Sequence, residues 1–164
     1  MSHVIESVTV EIDAPAEFVW DVLVDYPRYP EWNPYTVAVE TTLELGEPID
    51  LTLPNPDGSP GTFINREYIR VVDPPRHLRY DTGDEMEGIF AVRDQYIEAL
   101  GPGRCSYRTT DTFSGEHAQL VIDANGQWVK EGFDAVARAL KERAETLWAH
   151  RAGARSGGAE GGAR

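Results

Sequence analysis

Cysteine and basic residues are scarce in this sequence of 164 residues, and each shortage excludes a class of function. The single cysteine, Cys105, rules out an internal disulfide and a zinc site built from several cysteines. It stands in the strand-like segment CSYRTTDTF with no histidine nearby, which favours a buried structural thiol over a nucleophile. Lys and Arg number 15 against 28 Asp and Glu, a net charge of −13. Nucleic acid and anionic membranes are therefore not expected as partners.

Long apolar runs are also missing. No segment approaches the roughly 20 apolar residues that a membrane-spanning helix needs, and the N-terminal segment MSHVIESVTVEID carries charges where a signal peptide has an apolar core. We therefore expect a cytoplasmic protein without membrane insertion.

Motifs for metals, nucleotides and serine hydrolysis are absent as well. The four histidines have no metal-ligand spacing on one element, no Gly-rich phosphate loop follows a strand, and no Gly-x-Ser-x-Gly motif occurs. The sequence predicts no metal site and no cofactor.

The composition is that of a globular domain, with 41% apolar and 10% aromatic residues. Residues 152–164 read AGARSGGAEGGAR and offer no large apolar side chain to bury. We therefore predict one domain over residues 1–151 and a disordered Gly/Ala-rich tail over residues 152–164.

Periodicity predicts a strand, a short helix, a series of strands and a long final helix. Val8, Val10 and Ile12 alternate as in a strand, and the following Asp13-Ala-Pro15 is a helix start. Prolines end that helix after about three turns. Turn residues then separate several alternating segments, and Gly101-Pro-Gly103 predicts a hairpin between the last two strands.

The final helix carries its apolar residues on one face. It is predicted to begin at a cap at Asp123 or Asn125 and to run to about Arg151. A lone amphipathic helix of this length needs an apolar surface to cover, and the concave face of the sheet is the candidate.

Several motifs resemble those of the START-like superfamily of polyketide cyclases, lipid-transfer domains and pollen allergens. The matching segments are Ile12-Asp-Ala-Pro15, Val19-Trp20-Asp-Val22-Leu23, Tyr29-Pro-Glu31-Trp32-Asn33-Pro34, Val71-Val-Asp-Pro-Pro-Arg-His-Leu78, Phe113-Ser-Gly115 and Gly132-Phe133-Asp-Ala-Val136 through Glu145. The resemblance implies an α+β helix-grip fold, in which a curved antiparallel sheet of about seven strands wraps around the long C-terminal helix, with two short helices after the first strand. It also implies an elongated apolar pocket between helix and sheet.

Strand phase decides which polar residues line such a pocket. On the penultimate strand, Ile97 and Ala99 favour odd positions facing inward, which brings in Arg93 and Gln95. The opposite phase would bring in three other side chains, those of Asp94, Tyr96 and Glu98.

On the last strand, Tyr107, Thr109, Asp111 and Phe113 share the predicted inner face. Antiparallel pairing then brings Arg93 or Gln95 toward Thr109 and Asp111. In one interpretation Arg93 polarises a ligand carbonyl while Asp111 or Tyr107 exchanges a proton with the ligand. In the other, the same residues form a strand-end salt bridge beside a packed tyrosine.

An earlier strand adds a third candidate. If Ile69 and Val71 face inward, so does Glu67, and a buried carboxyl is a candidate acid or base. Aromatase/cyclases of the superfamily are expected to carry an inward arginine here, whereas this phase turns Arg66 and Arg70 outward.

Together these residues form the predicted site. The catalytic candidates are Arg93, Asp111 and Glu67. The candidate ligand contacts are Trp32, Tyr80, Gln95, Tyr107, Thr109, Phe133, Val136 and Leu140. The resemblance implies a hydrophobic small-molecule partner, and the interpretation leans to a cofactor-independent cyclase or dehydratase, a lyase-like activity. Non-catalytic binding or transport of a lipid or polyketide-like ligand is the alternative, and a homodimer stays compatible with the sequence.

Overall fold

In a computed structural model of the protein, an open antiparallel sheet is covered on one face by a long helix. The structure describes the backbone of residues 2–160 and the side chains of residues 2–154. The strands are β1 (His3–Glu6), β2 (Val10–Ile12), β3 (Ala38–Thr41), β4 (Pro48–Pro54), β5 (Thr62–Asp73), β6 (His77–Asp81), β7 (Phe90–Gly101) and β8 (Arg104–Ser114). Helix α1 (Ala16–Leu23) and a 3-10 helix (Tyr26–Glu31) follow β2, and helix α2 (Ala118–Glu160) ends the described chain. This is the predicted α+β helix-grip architecture.

The sheet has the order β1-β8-β7-β6-β5-β4-β3, with β2 also paired to β8. Strands β3 to β8 form a meander, and the predicted hairpin is confirmed because Gly101 pairs with Arg104 around a two-residue turn. The described sheet has eight strands rather than about seven. The difference arises because the predicted N-terminal strand is interrupted after Glu6, and its two pieces pair separately with β8.

A β-bulge in β5 changes the predicted phase of that strand. Glu67 and Ile69 face the core as predicted, but the register shifts between Ile69 and Val71. After this shift Val72 packs against the core, so the prediction that Val71 faces inward was wrong. A bulge adds one residue to one strand of a pair and therefore exchanges the two faces beyond it.

Helix α2 is longer than predicted at both ends. It begins at Ala118 because the segment before Asp123 is apolar on one side, where Ala118, Val121 and Ile122 pack beside β7 and β8. It continues to Glu160 rather than ending near Arg151. Extending an existing helix costs far less than nucleating one, so residues without apolar contacts can join it. The remaining tail prediction, for residues 161–164, lies outside the described residues.

Two carboxylates of α2 fix the helix to the N-terminal segment. Asp134 Oδ1 accepts a hydrogen bond from the backbone N–H of Val8 at 2.7 Å, and Glu145 Oε2 accepts one from the N–H of Asp13 at 2.9 Å. Between these two contacts, Ala137, Leu140 and Ala144 are fully buried in the core. The apolar face of α2 therefore lies on the inner face of the sheet at a defined register.

Replacing Asp134 with alanine is expected to destabilise the protein by about 1–3 kcal/mol, because the partly buried N–H of Val8 loses its acceptor. Urea denaturation measures the change in the free energy of unfolding. Asp123→Ala is the matched control, since Asp123 accepts a hydrogen bond only from Gln119 of the same helix. Equal losses in the two variants would show that the contact to Val8 does not fix the helix.

Within residues 2–160, no helix is long and apolar enough to cross a membrane.

Candidate functional site

The inner face of β7 carries the predicted polar pair. Arg93 is 5% exposed and Gln95 4% exposed, and both lie on the face that also carries the buried Ala91 and Ile97. The alternative phase was therefore wrong. Asp94 is also buried, but it lies on the outer face with β6, where Arg79 and His77 bind its carboxylate.

Strand β8 places its predicted residues beside this pair. Register sets Arg93 opposite Asp111 and Gln95 opposite Thr109. The Nε of Arg93 donates to Thr109 Oγ1 at 3.1 Å, and Tyr107 donates its hydroxyl proton to Gln95 Oε1 at 2.6 Å. The amide of Gln95 in turn reaches the hydroxyl of Tyr80 at 3.3 Å. Because the proton of Tyr107 is engaged by Gln95, Asp111 is the better placed of the two predicted proton-exchange groups.

Arg93 is a buried cation held by aromatic rings. Its guanidinium carbon lies 4.4 Å from the ring centre of Phe133 and 5.9 Å from that of Tyr80, both distances at which cation–π attraction operates. Among the described side chains no carboxylate forms a salt bridge with it. The predicted strand-end salt bridge with Asp111 is therefore not formed, although the two residues are direct neighbours in register.

Two carboxyl groups lie near this cation: Glu67 is buried and Asp111 is half-buried. One oxygen of Glu67, Oε2, accepts a hydrogen bond from Asn65 at 3.1 Å, whereas Oε1 has no partner. The Oδ1 atom of Asp111 is also buried without a partner. Unpaired polar atoms in a protein interior are costly, so they commonly mark functional positions.

Burial raises the pKa of both carboxyl groups. It raises the pKa of Asp111 to about 7, against the opposing effect of the positive charge of Arg93. Burial also raises the pKa of Glu67 well above its usual range, the charge of Asp111 raises it further, and Arg93 opposes both effects. Burial and the charge of Asp111 therefore favour the protonated form of Glu67, while Asp111 exchanges its proton in the physiological range.

The predicted elongated apolar pocket is not open in this structure. The enclosed cavity beside Arg93 has a volume of only about 10 Å³, which is enough for about one water molecule. Four residues that were not predicted at the site line this space: Tyr26, Tyr29, Asn33 and Thr36. Tyr35 is buried nearby, edge-on to Phe133. The hydroxyl of Tyr26 is the third buried polar atom without a partner. The segment Tyr29-Pro-Glu-Trp-Asn-Pro34, one of the motifs that carry the resemblance, contains two of the lining residues, Tyr29 and Asn33.

The predicted ligand contacts on α2 and Trp32 occupy different places. Phe133, Val136 and Leu140 are buried on the inner face of α2, where they cover the sheet. Trp32 is only partly buried and lies at a surface groove beside Ala139 and Arg143 of α2, with its ring 5.1 Å from that of Tyr29. It therefore does not reach the polar centre, and its assignment as a ligand contact is not supported by its position.

Larger concavities lie on the surface and contain none of the predicted catalytic residues. The groove beside His77, Tyr96 and Arg108, about 530 Å³, is on the outer face of the sheet. Within the part of the chain whose side chains are described, no cluster of three or more His, Cys, Asp or Glu residues is arranged to hold a metal ion.

An antiparallel sheet gripping a long C-terminal helix, with charged groups enclosed between them, defines the class of START-like proteins. The chain matches the family of polyketide cyclase/dehydrase and lipid transport proteins over residues 4–145, and it belongs to that family. No protein with a curated description matches it significantly in sequence.

Solved structures show the same fold at low sequence identity. A START superfamily protein from Mycobacterium smegmatis has a TM-score of 0.65 at 17% identity, covering 88% of this chain and 99% of that one. The ZhuI aromatase/cyclase from Streptomyces sp. R1128 has a TM-score of 0.65 at 22% identity, covering 88% and 94%. A norcoclaurine synthase point mutant from Thalictrum flavum, in complex with a transition state analogue, has a TM-score of 0.62 at 17% identity, covering 88% and 94%. At these identities the likeness concerns the fold.

Proposed function

We propose that the protein binds a hydrophobic carbonyl compound between α2 and the sheet and catalyses a cofactor-independent cyclisation or dehydration. The observation that carries this proposal is the combination of one buried cation with two carboxyl groups, those of Glu67 and Asp111, each of which has a buried oxygen without a partner. Its family includes cyclases and dehydrases, and one of its structural relatives is an aromatase/cyclase.

Each of the three charged groups has a separate role in this chemistry. The carboxylate of Asp111 removes a proton from the carbon next to a ligand carbonyl, and Arg93 stabilises the negative charge that develops on the carbonyl oxygen. The enolate carbon then attacks a second carbonyl of the same molecule. Protonated Glu67 gives its proton to the oxygen of that second carbonyl, or to a hydroxyl that leaves as water, while Asp111 holds the proton that it took. Release of that proton from Asp111 and uptake of one by Glu67 then restore both groups.

The different surroundings of Asp111 and Glu67 support the assignment of one as the base and the other as the acid. Arg93 faces Asp111 in register and lowers its pKa, so a substantial fraction of Asp111 is ionised near neutral pH. Burial raises the pKa of Glu67 well above its usual range and so favours its protonated form. Two acids whose surroundings separate their proton affinities are the usual arrangement for a base and an acid in one site.

The second candidate function is binding or transport of a lipid or polyketide-like molecule without chemistry. It is supported by the apolar surface of α2 that faces the sheet, which includes Phe133, Val136 and Leu140, and by the lipid-transport members of the family. In this case the carboxyl groups serve only to bind polar groups of the ligand.

Incubation with a synthetic poly-β-ketone thioester separates the two functions. The parent protein is expected to change the distribution of cyclised products relative to a protein-free reaction, as measured by liquid chromatography and mass spectrometry. Asp111→Asn and Glu67→Gln are each expected to slow formation of the protein-directed product by about 100-fold or more, the usual contribution of acid–base catalysis.

Asp50→Asn is the matched control, because Asp50 pairs with Arg66 on the outer face of the sheet. A parent protein that binds the thioester but leaves the product distribution unchanged would contradict the catalytic proposal for that substrate and favour the binding function.

A further inference from the structure

Tyr35 fills the space between α2 and the polar centre. Its ring lies directly on the backbone of Gly132, where an added Cβ would stand 2.5 Å from Cε2 and 2.8 Å from Cγ of the ring. Glycine is a poor residue for a helix interior, so its presence in the middle of α2 is accounted for by this close approach.

The ring of Tyr35 is held by contacts with other rings, and its hydroxyl lies close enough to the polar centre for the charge of Arg93 to act on it. The ring lies 5.0 Å from the ring of Trp128 and meets the ring of Phe133 edge-on at 5.7 Å. Its hydroxyl makes no hydrogen bond with any residue that the structure describes. The backbone beside it is fixed, because Asn33 Oδ1 accepts the N–H groups of Tyr35 and Thr36 at 3.0 and 2.8 Å. The side chain can therefore turn about its Cα–Cβ bond without breaking a hydrogen bond.

Tyr35 also stands on a line of aromatic rings from the surface to the site. At the outer end, Phe63 is 38% exposed and its ring centre lies 6.5 Å from that of Trp128. At the inner end, Phe133 contacts the guanidinium of Arg93 at 4.4 Å. Because only about 10 Å³ is free beside Arg93, a ligand reaches the carboxyl groups only after interior side chains have moved.

We propose that Tyr35 is the gate of the internal site. In the closed state its ring occupies the space over Gly132, and when the ring turns outward this space accepts the flat ring of a planar hydrophobic ligand. The gate rests on the proposed function in one respect only, namely that a ligand binds between α2 and the sheet. Gly132 is the second part of the proposed gate. Because it has no Cβ, it leaves a flat surface on which the ring of Tyr35 or the ring of the ligand can lie.

The association rate of the neutral fluorescent probe N-phenyl-1-naphthylamine tests the gate by stopped-flow fluorescence. Tyr35→Ala is expected to bind the probe at least ten-fold faster than the parent. Tyr96→Ala is the matched control, because Tyr96 lies on the outer face of the sheet, stacked on His77. An association rate for Tyr35→Ala equal to that of the parent would overturn the proposal.

A double-mutant cycle tests the gate even if the alanine variant of Tyr35 folds poorly. G132A places a Cβ against the ring and is expected to displace it, so this variant also binds the probe at least ten-fold faster than the parent. In the Y35A background, G132A is expected to leave the association rate unchanged, because no ring remains to be displaced, and to raise the melting temperature slightly, because alanine is the better helix former. Equal effects of G132A in both backgrounds would overturn the gate.

The acid variants distinguish failure of the gate from failure of the chemistry. If Y35A accelerates probe binding while Glu67→Gln and Asp111→Asn leave the cyclised products unchanged, the gate stands and the catalytic proposal fails. If the acid variants abolish the chemistry while Y35A binds the probe at the parent rate, the gate is overturned and the catalytic proposal stands.

Discussion

Replacing Arg93 with methionine is expected to lower the free energy of unfolding by about 3–5 kcal/mol near pH 8, and by clearly less near pH 5. Arg93 is the buried cation that faces two buried acids, and it lowers the pKa of both Glu67 and Asp111. Without it, either acid that ionises leaves an uncompensated charge in the interior. Near pH 5 both acids are protonated in the folded protein, so mainly the hydrogen bond to Thr109 and the ring contacts are lost.

Urea denaturation at the two pH values measures this effect. Arg66→Met is the matched control, because Arg66 is half exposed and pairs with Asp50 on the outer face, where an ion pair contributes about 1 kcal/mol or less. Adding Asp111→Asn to Arg93→Met is expected to recover part of the loss near pH 8. A loss of equal size at both pH values would show that the charge of Arg93 does not compensate the acids.

Asp111→Asn is expected to remove a decline in stability that the parent shows between about pH 4 and pH 7. Burial raises the pKa of Asp111 in the folded protein to about 7 from an ordinary value of 3.8, so in this window the folded state binds more protons than the unfolded state. The stabilising contribution of protonated Asp111 is thus complete below about pH 4 and is lost as the pH rises through about 7. The asparagine variant cannot ionise and keeps its stability across this window.

The expected size of this effect is a few kcal/mol at most, since three pKa units correspond to roughly 4 kcal/mol. The measurement is the free energy of unfolding of parent and variant at half-unit steps of pH. Asp123→Asn on the exposed side of α2 controls for the change in net charge. A difference between parent and Asp111→Asn that does not grow between pH 4 and pH 7 would contradict the raised pKa.

The order of the elements was predictable from local patterns. Alternating apolar residues predicted the strands, Gly101-Pro-Gly103 predicted the hairpin, and the apolar stripe of α2 predicted the helix that covers the sheet. The ends of α2 were not predictable, because its first turns form through contacts of Ala118 and Val121 with strands far along the chain.

Part of the site was predictable for the same reason. Strand alternation placed Arg93, Gln95 and Thr109 on the inner face, and the hairpin register brought them together. The alternation of side chains along β5 predicted that Glu67 faces inward and Arg66 faces outward, as observed. Periodicity assigned these residues to a face because side chains of a strand alternate strictly until a bulge intervenes.

Contacts within the interior were set by the tertiary structure. Arg93 binds aromatic rings rather than Asp111, and Tyr35 lies on Gly132, although the two residues of this second pair are almost a hundred positions apart. Local sequence patterns carry no information on such pairs, because their distance depends on how the sheet and α2 meet.

The sequence alone predicted one acidic α+β domain with polar residues on an inward sheet face. This prediction rested on the single cysteine, the acidic composition and the alternation of apolar residues. Only the tertiary structure decided that two acids lie near one cation and that tyrosines close the space around it. The physical reason is that periodicity is a local property of the chain, whereas burial, pKa shifts and cavity volume depend on atoms brought together by folding.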